Sequence, residues 1–185
     1  PEILDGYVRD LLLGADGRAH MVYETYASAY YRYQTPTGWI SEELPGSCLA
    51  HPSLALDAED RPHIAAAGWC DAKVRYMYKA AGEWFTEELN VKGYHPELAL
   101  DRDGQPLIAY QDRDTNAQMV ARRTVWGWQA EVVDAEGGGH SSLVFGSTGE
   151  PYLAYQDELN TDLRLATLHW LREPHWTYLP IIGAQ

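Results

Sequence analysis

The sequence has 185 residues, 45% of them hydrophobic and 22% charged, which is long enough and apolar enough to bury one sizeable core. Its formal net charge of −13, from 27 acidic against 14 basic residues, repels polyanions at long range and argues against nucleic acid and anionic membrane as partners. No segment approaches the roughly 20 apolar residues of a membrane span, and the start "PEILDGYVRD" has neither a basic n-region nor an apolar h-region; the chain reads as soluble, secreted or cytoplasmic.

Residues 1–6 resemble the end of a strand, because "EILDG" matches "EVVDA" further along. A first unit follows, read over 7–47, in which "LLLGADGRAHMVY" is the faint copy of a segment that returns as "HPSLALDAEDRPHIA" from His51, "HPELALDRDGQPLIA" from His95 and "HSSLVFGSTGEPYLA" from His140. The units 48–93, 94–138 and 139–182 complete four repeats. Pro62, Pro106 and Pro151 stand 44 and 45 residues apart, and Trp39, Trp84, Trp128 and Trp176 keep a similar period at the start of the last strand of each unit. A period of this length with several short strands per unit is the signature of β-propeller blades.

Within a unit the strands run from A to D. "SLALD" or "ELALD" is A, "HIAAA" or "LIAYQ" is B, "KVRYMYK" or "QMVARR" is C, and "EWFTEEL" or "WQAEVV" is D. Nearly continuous apolar character in A and B predicts inner strands covered on both faces, whereas C and D alternate with charge. Tight A–B turns are predicted at "DAEDRP", "DRDGQP" and "GSTGEP", with Asp and Gly supplying the turn dihedrals. The fold expected is all-β: a single β-propeller domain over 1–185, with four four-stranded antiparallel blades and residues 1–6 as an extra strand segment. It would be either a closed four-bladed ring or half of a larger ring completed by homodimerisation.

With its "LALDxxGxPxIAY" blades the sequence resembles the bacterial lectin-like and sialidase-like β-propellers. The resemblance implies a toroid with a binding face and no particular reaction. The Asp-box pattern S-x-D-x-G-x-T-W of sialidases is absent.

Antiparallel pairing brings the start of A and the end of B to one rim. That rim collects His51, His95 and His140 from the D–A connections and "YQD" from the ends of B, as Tyr110, Gln111, Asp112 and Tyr155, Gln156, Asp157. His95 is therefore expected beside Asp112 and His140 beside Asp157. Such pairs resemble the structural His–Asp device of WD-repeat propellers, and they could equally line a ligand site. The second unit departs from the pattern, with Ala66, Ala67 and Gly68 before Trp69, Cys70 and Asp71. This reads as a dent flanked by Trp69, with Tyr23, Tyr110 and Tyr155 around the rim, or as room made for packing. Tyr and Trp rings offer a sugar an apolar face, and Gln and Asp offer partners for its hydroxyls. The acid and base candidates on this rim are Glu24, His95, Asp112, His140 and Asp157.

Three functions follow: binding of a carbohydrate or other small hydroxylated molecule, an enzyme acting on such a molecule, or a protein-interaction platform steered by acidic charge. Common catalytic signatures are absent, and so is tight metal-ligand spacing, so neither cofactor nor metal is expected. Cys48 and Cys70 face each other if the A–B hairpin of the second unit is centred on Glu59, so that opposite residues sum to 118 as in Leu56 with Pro62; a disulfide and a pair of reduced thiols both fit.

Overall fold

The computed structural model describes residues 5–157, 160–169 and 177–180, with side chains described as far as Leu168. Trp176 and residues 1–4 of the expected extra strand lie outside the described residues, and Asp5 and Gly6 form a bend. The chain divides into two compact units, Pro1–Lys92 and Gly93–Gln185.

The first unit holds two antiparallel meanders. One is built from β1 (Tyr7–Leu13), β2 (Ala19–Glu24), β3 (Ala29–Thr35) and β4 (Gly38–Glu43); the next from β5 (Leu49–Leu56), β6 (Pro62–Gly68), β7 (Lys73–Ala80) and the start of β8 (Glu83–Leu100). In the second unit, β8 from Gly93 onward pairs with β9 (Pro106–Asp112), followed by β10 (Gln118–Thr124) and β11 (Gly127–Asp134). A further meander contains β12 (Ser141–Phe145), β13 (Pro151–Asp157), β14 (Asp162–His169) and β15 (Thr177–Pro180). The D strand of the second repeat and the A strand of the third are thus one strand, β8, rather than two. Its sequence "NVKGYHPELAL" contains no turn-forming cluster, so the ladder simply changes partner between Lys92 and Gly93.

Burial follows the apolar pattern. Every residue of β6 is buried, while β4 is almost wholly exposed. Side chains of the first meander, Val22, Tyr31 and Leu44, pack with Leu49, Leu54, Ile64, Ala66 and Met77 of the second. In the other unit Leu107 and Val120 pack with Leu143, Leu153, Tyr155 and Leu168. Of the recurring tryptophans, Trp84 packs on the first core and donates to Glu42, whereas Trp39 is 38% exposed and lies under the Arg32 guanidinium.

The four A–B turns share one geometry. Within each, the first residue's N–H donates to the carbonyl four residues on, and the fourth residue's N–H returns to the first residue's carbonyl, as in Gly14–Arg18, Asp57–Arg61, Asp101–Gln105 and Gly146–Glu150. The fourth position has positive φ and is Gly17, Asp60, Gly104 or Gly149, the residue types that tolerate the left-handed region. Where the first residue is aspartate its carboxylate also caps the turn: Asp57 accepts from the N–H groups of Glu59 and Arg61, and Asp101 from those of Asp103 and Gln105.

The hairpin of β5 and β6 keeps the expected register near the turn, with Leu56 opposite Pro62 and Leu54 opposite Ile64. A bulge at His51 and Pro52 then shifts it by one, so that Leu49 faces Gly68. A bulge at His95 and Pro96 occurs in β8, and both histidines have positive φ, 49° and 50°. Proline cannot donate to the ladder, and histidine is among the residues most tolerant of that backbone region. His140 precedes serine, has no bulge, and accepts the Gln156 N–H at its carbonyl in regular register. Cys48 therefore stands opposite Trp69, whose N–H donates to its carbonyl (2.7 Å), and it reaches one residue further to bond Cys70, with Cα atoms 5.9 Å apart.

Asp57 carries a testable consequence. Burial works to raise its pKa, but hydrogen bonds from the Arg61 N–H and side chain, from His63 and from the Glu59 N–H outweigh it and hold the carboxyl below its ordinary value. A lowered carboxyl pKa adds stability that is present above the unfolded value of about 3.9 and is lost as pH falls through the native value. The urea midpoint should therefore drop between pH 7 and pH 3, and Asp57→Asn should shrink that drop; an unchanged pH dependence in the variant would reject this role.

Candidate functional site

The rim formed by D–A and B–C connections is organised in each unit around buried carboxylates. In the first unit, Glu24 ends β2 and is 4% exposed. It accepts from Arg9 and from the backbone N–H of His51 (2.5 Å), which ties the end of one meander to the start of the next. Tyr23 beside it is buried and stacks on Tyr30 at 5.1 Å between ring centroids. The His51 ring packs against Trp69 at 5.3 Å. Trp69 itself is 63% exposed, although it sits in a turn fixed by the Cys48–Cys70 bond and by its own N–H bond to Cys48.

The dent expected at Ala66 and Ala67 is not open. Both residues are buried, Ala66 within the hydrophobic core, and the small side chains make room for packing. Next to them Asp71 takes both terminal nitrogens of Arg75, an interaction that lowers the Asp71 pKa. A Cβ on Gly68 would sit 2.1 Å from the Asp71 carboxylate, so any larger residue there would displace the Asp71–Arg75 pair.

In the second unit the two YQD segments diverge. Asp112 serves its own turn, accepting from the N–H groups of Asp114 and Thr115 and from the Thr115 hydroxyl. Asp157 is fully buried and accepts from Arg164 and Asn160. Arg164 also bonds Asp134, which accepts the Tyr155 hydroxyl as well (2.8 Å). Tyr155, Asp134, Arg164 and Asp157 thus form one connected network. The His95 and His140 rings meet each other, with centroids 4.1 Å apart, and the two aspartates accept from Thr115 and from Arg164. Tyr110 and Tyr155 are each 1% exposed and present no face to solvent, and burial with nearby Asp112 pushes the Tyr110 phenol far above its ordinary pKa. Gln111 donates to the Gly138 carbonyl (2.9 Å), and Gln156 is exposed. The run Gly137–Gly138 is a spatial requirement, since a Cβ at either position would lie 2.7 Å from Asp157 or from the Gln118 backbone.

Arg9, Asp134 and Arg164 are the rim residues that sequence reasoning missed. A strand-C arginine recurs directly across from the fifth residue of B, as Arg75 opposite Ala66 and Arg164 opposite Tyr155, and that cross-strand position was the available signal. Among the described residues no group of three or more His, Cys, Asp or Glu side chains could hold a metal ion, and no helix is long and apolar enough to cross a membrane.

The architecture places the chain among β-propeller-type folds. Similar solved structures include a protein of unknown function from Dyadobacter fermentans, at 12% identity and TM-score 0.62, covering 80% of this chain and 48% of that one. An α-L-arabinofuranosidase of the GH43 group from Clostridium thermocellum shares 11% identity at TM-score 0.58, covering 95% and 72%. A mutant NanB sialidase from Streptococcus pneumoniae shares 14% at TM-score 0.55, covering 86% and 30%. The chain thus spans about half of the first structure and under a third of the sialidase. No family model and no curated protein matches the sequence.

Two variants test this rim. Arg164→Ala leaves the buried Asp157 and Asp134 carboxylates without their cation and should cost about 3 kcal/mol, read as a lower urea midpoint; wild-type stability would mean the network is dispensable. Replacing Cys48 and Cys70 by serine reopens a loop of 22 residues and should cost about 3 kcal/mol in the chain-entropy account, with melting under reducing conditions as the parallel measurement.

Proposed function

We propose that the chain is a carbohydrate-binding β-propeller module, whose four meanders are blades of a ring that closes alone or with a second copy. Its ligand face is the rim of D–A and B–C connections, with His51, Trp69, His95, Gln111, Asp112, His140, Gln156 and Asp157 as contributing positions. Tyr23 in the first unit and Tyr110 and Tyr155 in the second are buried and support the rim of their own unit.

The observation that carries this reading is Trp69. An indole that is 63% exposed and yet fixed by a disulfide, a backbone bond and a histidine ring is a preorganised apolar platform, and binding to it forfeits little side-chain entropy. A pyranose offers an apolar ring face to such a platform and hydroxyls to the polar groups around it. The structural neighbours described as an arabinofuranosidase and a sialidase place sugar chemistry on related folds.

A second reading, a sugar-cleaving enzyme, draws on Glu24, a buried carboxylate at the same rim. Its commitment to Arg9 and to the His51 N–H favours binding over acid–base work.

A glycan array followed by calorimetry of the hits separates these readings. Binding should appear, and Trp69→Ala should weaken it by about tenfold or more, equivalent to about 1.4 kcal/mol, with melting unchanged. No hit, or full affinity in the variant, would reject the site. Release of reducing sugar that Glu24→Gln abolishes would establish the enzyme instead.

A further inference from the structure

At the opposite end of the strands from Trp69, the first unit has an open cleft of about 300 Å³, at the lower end of the usual range for small-ligand sites. His20, Tyr31 and Tyr33 of the first meander form one wall, and Asp60, Arg61 and Lys79 of the second form the other. Tyr33 stacks with both His20 and Tyr31, at 6.3 and 5.4 Å between centroids, so the wall is a continuous aromatic surface.

The repeat supplies its own control. His63 stands where His20 stands, one residue into strand B, and both histidines bond the hydroxyl of a strand-C tyrosine through Nδ1: His63 to Tyr76 and His20 to Tyr31 (2.6 Å). His63 completes its ring with a bond from Nε2 to Asp57 (3.3 Å). The first repeat has Gly14 at the position of Asp57, five residues before the start of strand B. His20 is 7% exposed, and its Nε2 meets no hydrogen-bond partner among the described residues. The space that the aspartate would fill is approached from across the cleft by Asp60, whose carboxylate would lie 3.0 Å from a Cβ on Gly14. One Asp60 oxygen accepts the Ala15 N–H, and its charge acts on His20 from nearby.

Charge is already balanced in this site. Lys79 is held by both oxygens of Glu42 (2.6 Å each), and Arg61 is bonded to Asp57 and Glu59. An ionic ligand has no unsatisfied counter-charge beyond that of Asp60. An imidazole nitrogen open to the cleft, beside a carboxylate and an aromatic wall, instead suits a hydroxyl group, which can donate to one partner and accept from the other.

We infer that this cleft is a second binding site, for a neutral polyhydroxylated ring of single-monosaccharide size, in which one ligand hydroxyl bridges His20 Nε2 and Asp60 while the ring packs against the Tyr33 wall, beside the Lys79 ammonium that lies 5.9 Å from the Tyr33 centroid. The missing aspartate at Gly14 creates the vacancy, so the second repeat, with Asp57 in place, has no equivalent site at His63. The inference is independent of Trp69.

The test uses imidazole resonances in nitrogen NMR, titrated with D-galactose, L-arabinose and myo-inositol up to about 50 mM, a range suited to millimolar affinities. At least one probe should shift the His20 signals and leave those of His63 in place. Asp60→Asn, which preserves the turn geometry and the bond to Ala15, should weaken the effect by about tenfold or more. Gly14→Asp, which introduces the aspartate found at this position in the second and third repeats, should abolish it, and Trp69→Ala should leave it intact. No shift of His20 with any probe, equal shifts at His63, retention of the effect in Asp60→Asn, or its loss in Trp69→Ala would each overturn the inference.

Discussion

A strand that is apolar on both faces must be covered on both faces, and most of this structure follows from that requirement. β6 is buried along its whole length, and β9 nearly so. Neither can stand at a surface, so each meander needs a neighbour, and within each unit two meanders share one core. Cross-strand hydrogen bonds hold the meanders internally, while stacking of their faces buries the apolar side chains that drive folding. Connections are left at the two ends of the strands, where polar groups can be satisfied and where binding chemistry can vary without disturbing the core.

The two ends are fixed by different means. At the D–A and B–C end, buried carboxylates gather arginines and backbone N–H groups from neighbouring segments, as Glu24 does with Arg9 and His51 and as Asp134 and Asp157 do through Arg164. These bonds join successive meanders and would be expensive to leave half-made. At the other end a repeated turn does the work, with an aspartate cap in two of four cases and glycine in the others. The two proposed binding sites both lie at departures from the repeat. Trp69 stands exposed directly after Ala66, Ala67 and Gly68, which take the YQD positions, and Gly14 stands where an aspartate would have engaged a histidine.

Much of the architecture was legible in the sequence because strand burial and turn geometry depend on local residue types. The proline spacing placed strand B in the last three repeats, and the Asp/Gly pattern placed their A–B turns. What escaped the sequence depended on tertiary context. The His51–Pro52 bulge shifts the register by one and could not be counted from the turn, although the His-Pro dipeptide marks where it falls. Tyr110 and Tyr155 read as rim residues, yet both are buried, since a tyrosine ring suits core as well as rim. Asp112 and Asp157 share a motif yet differ in partners, because only the second faces a strand-C arginine. The His20, Tyr31 and Tyr33 set was visible as a copy of His63, Tyr76 and Tyr78, but its meaning lay in the missing aspartate five residues earlier.

The central claim is that carbohydrate lies on the indole of Trp69, and a crystal structure of the protein with its best-binding glycan tests it most directly. The account predicts a sugar ring packed with carbon atoms within about 4 Å of the Trp69 ring, its hydroxyls bonded to polar groups of the same rim. A glycan bound with Trp69 uncovered would contradict it.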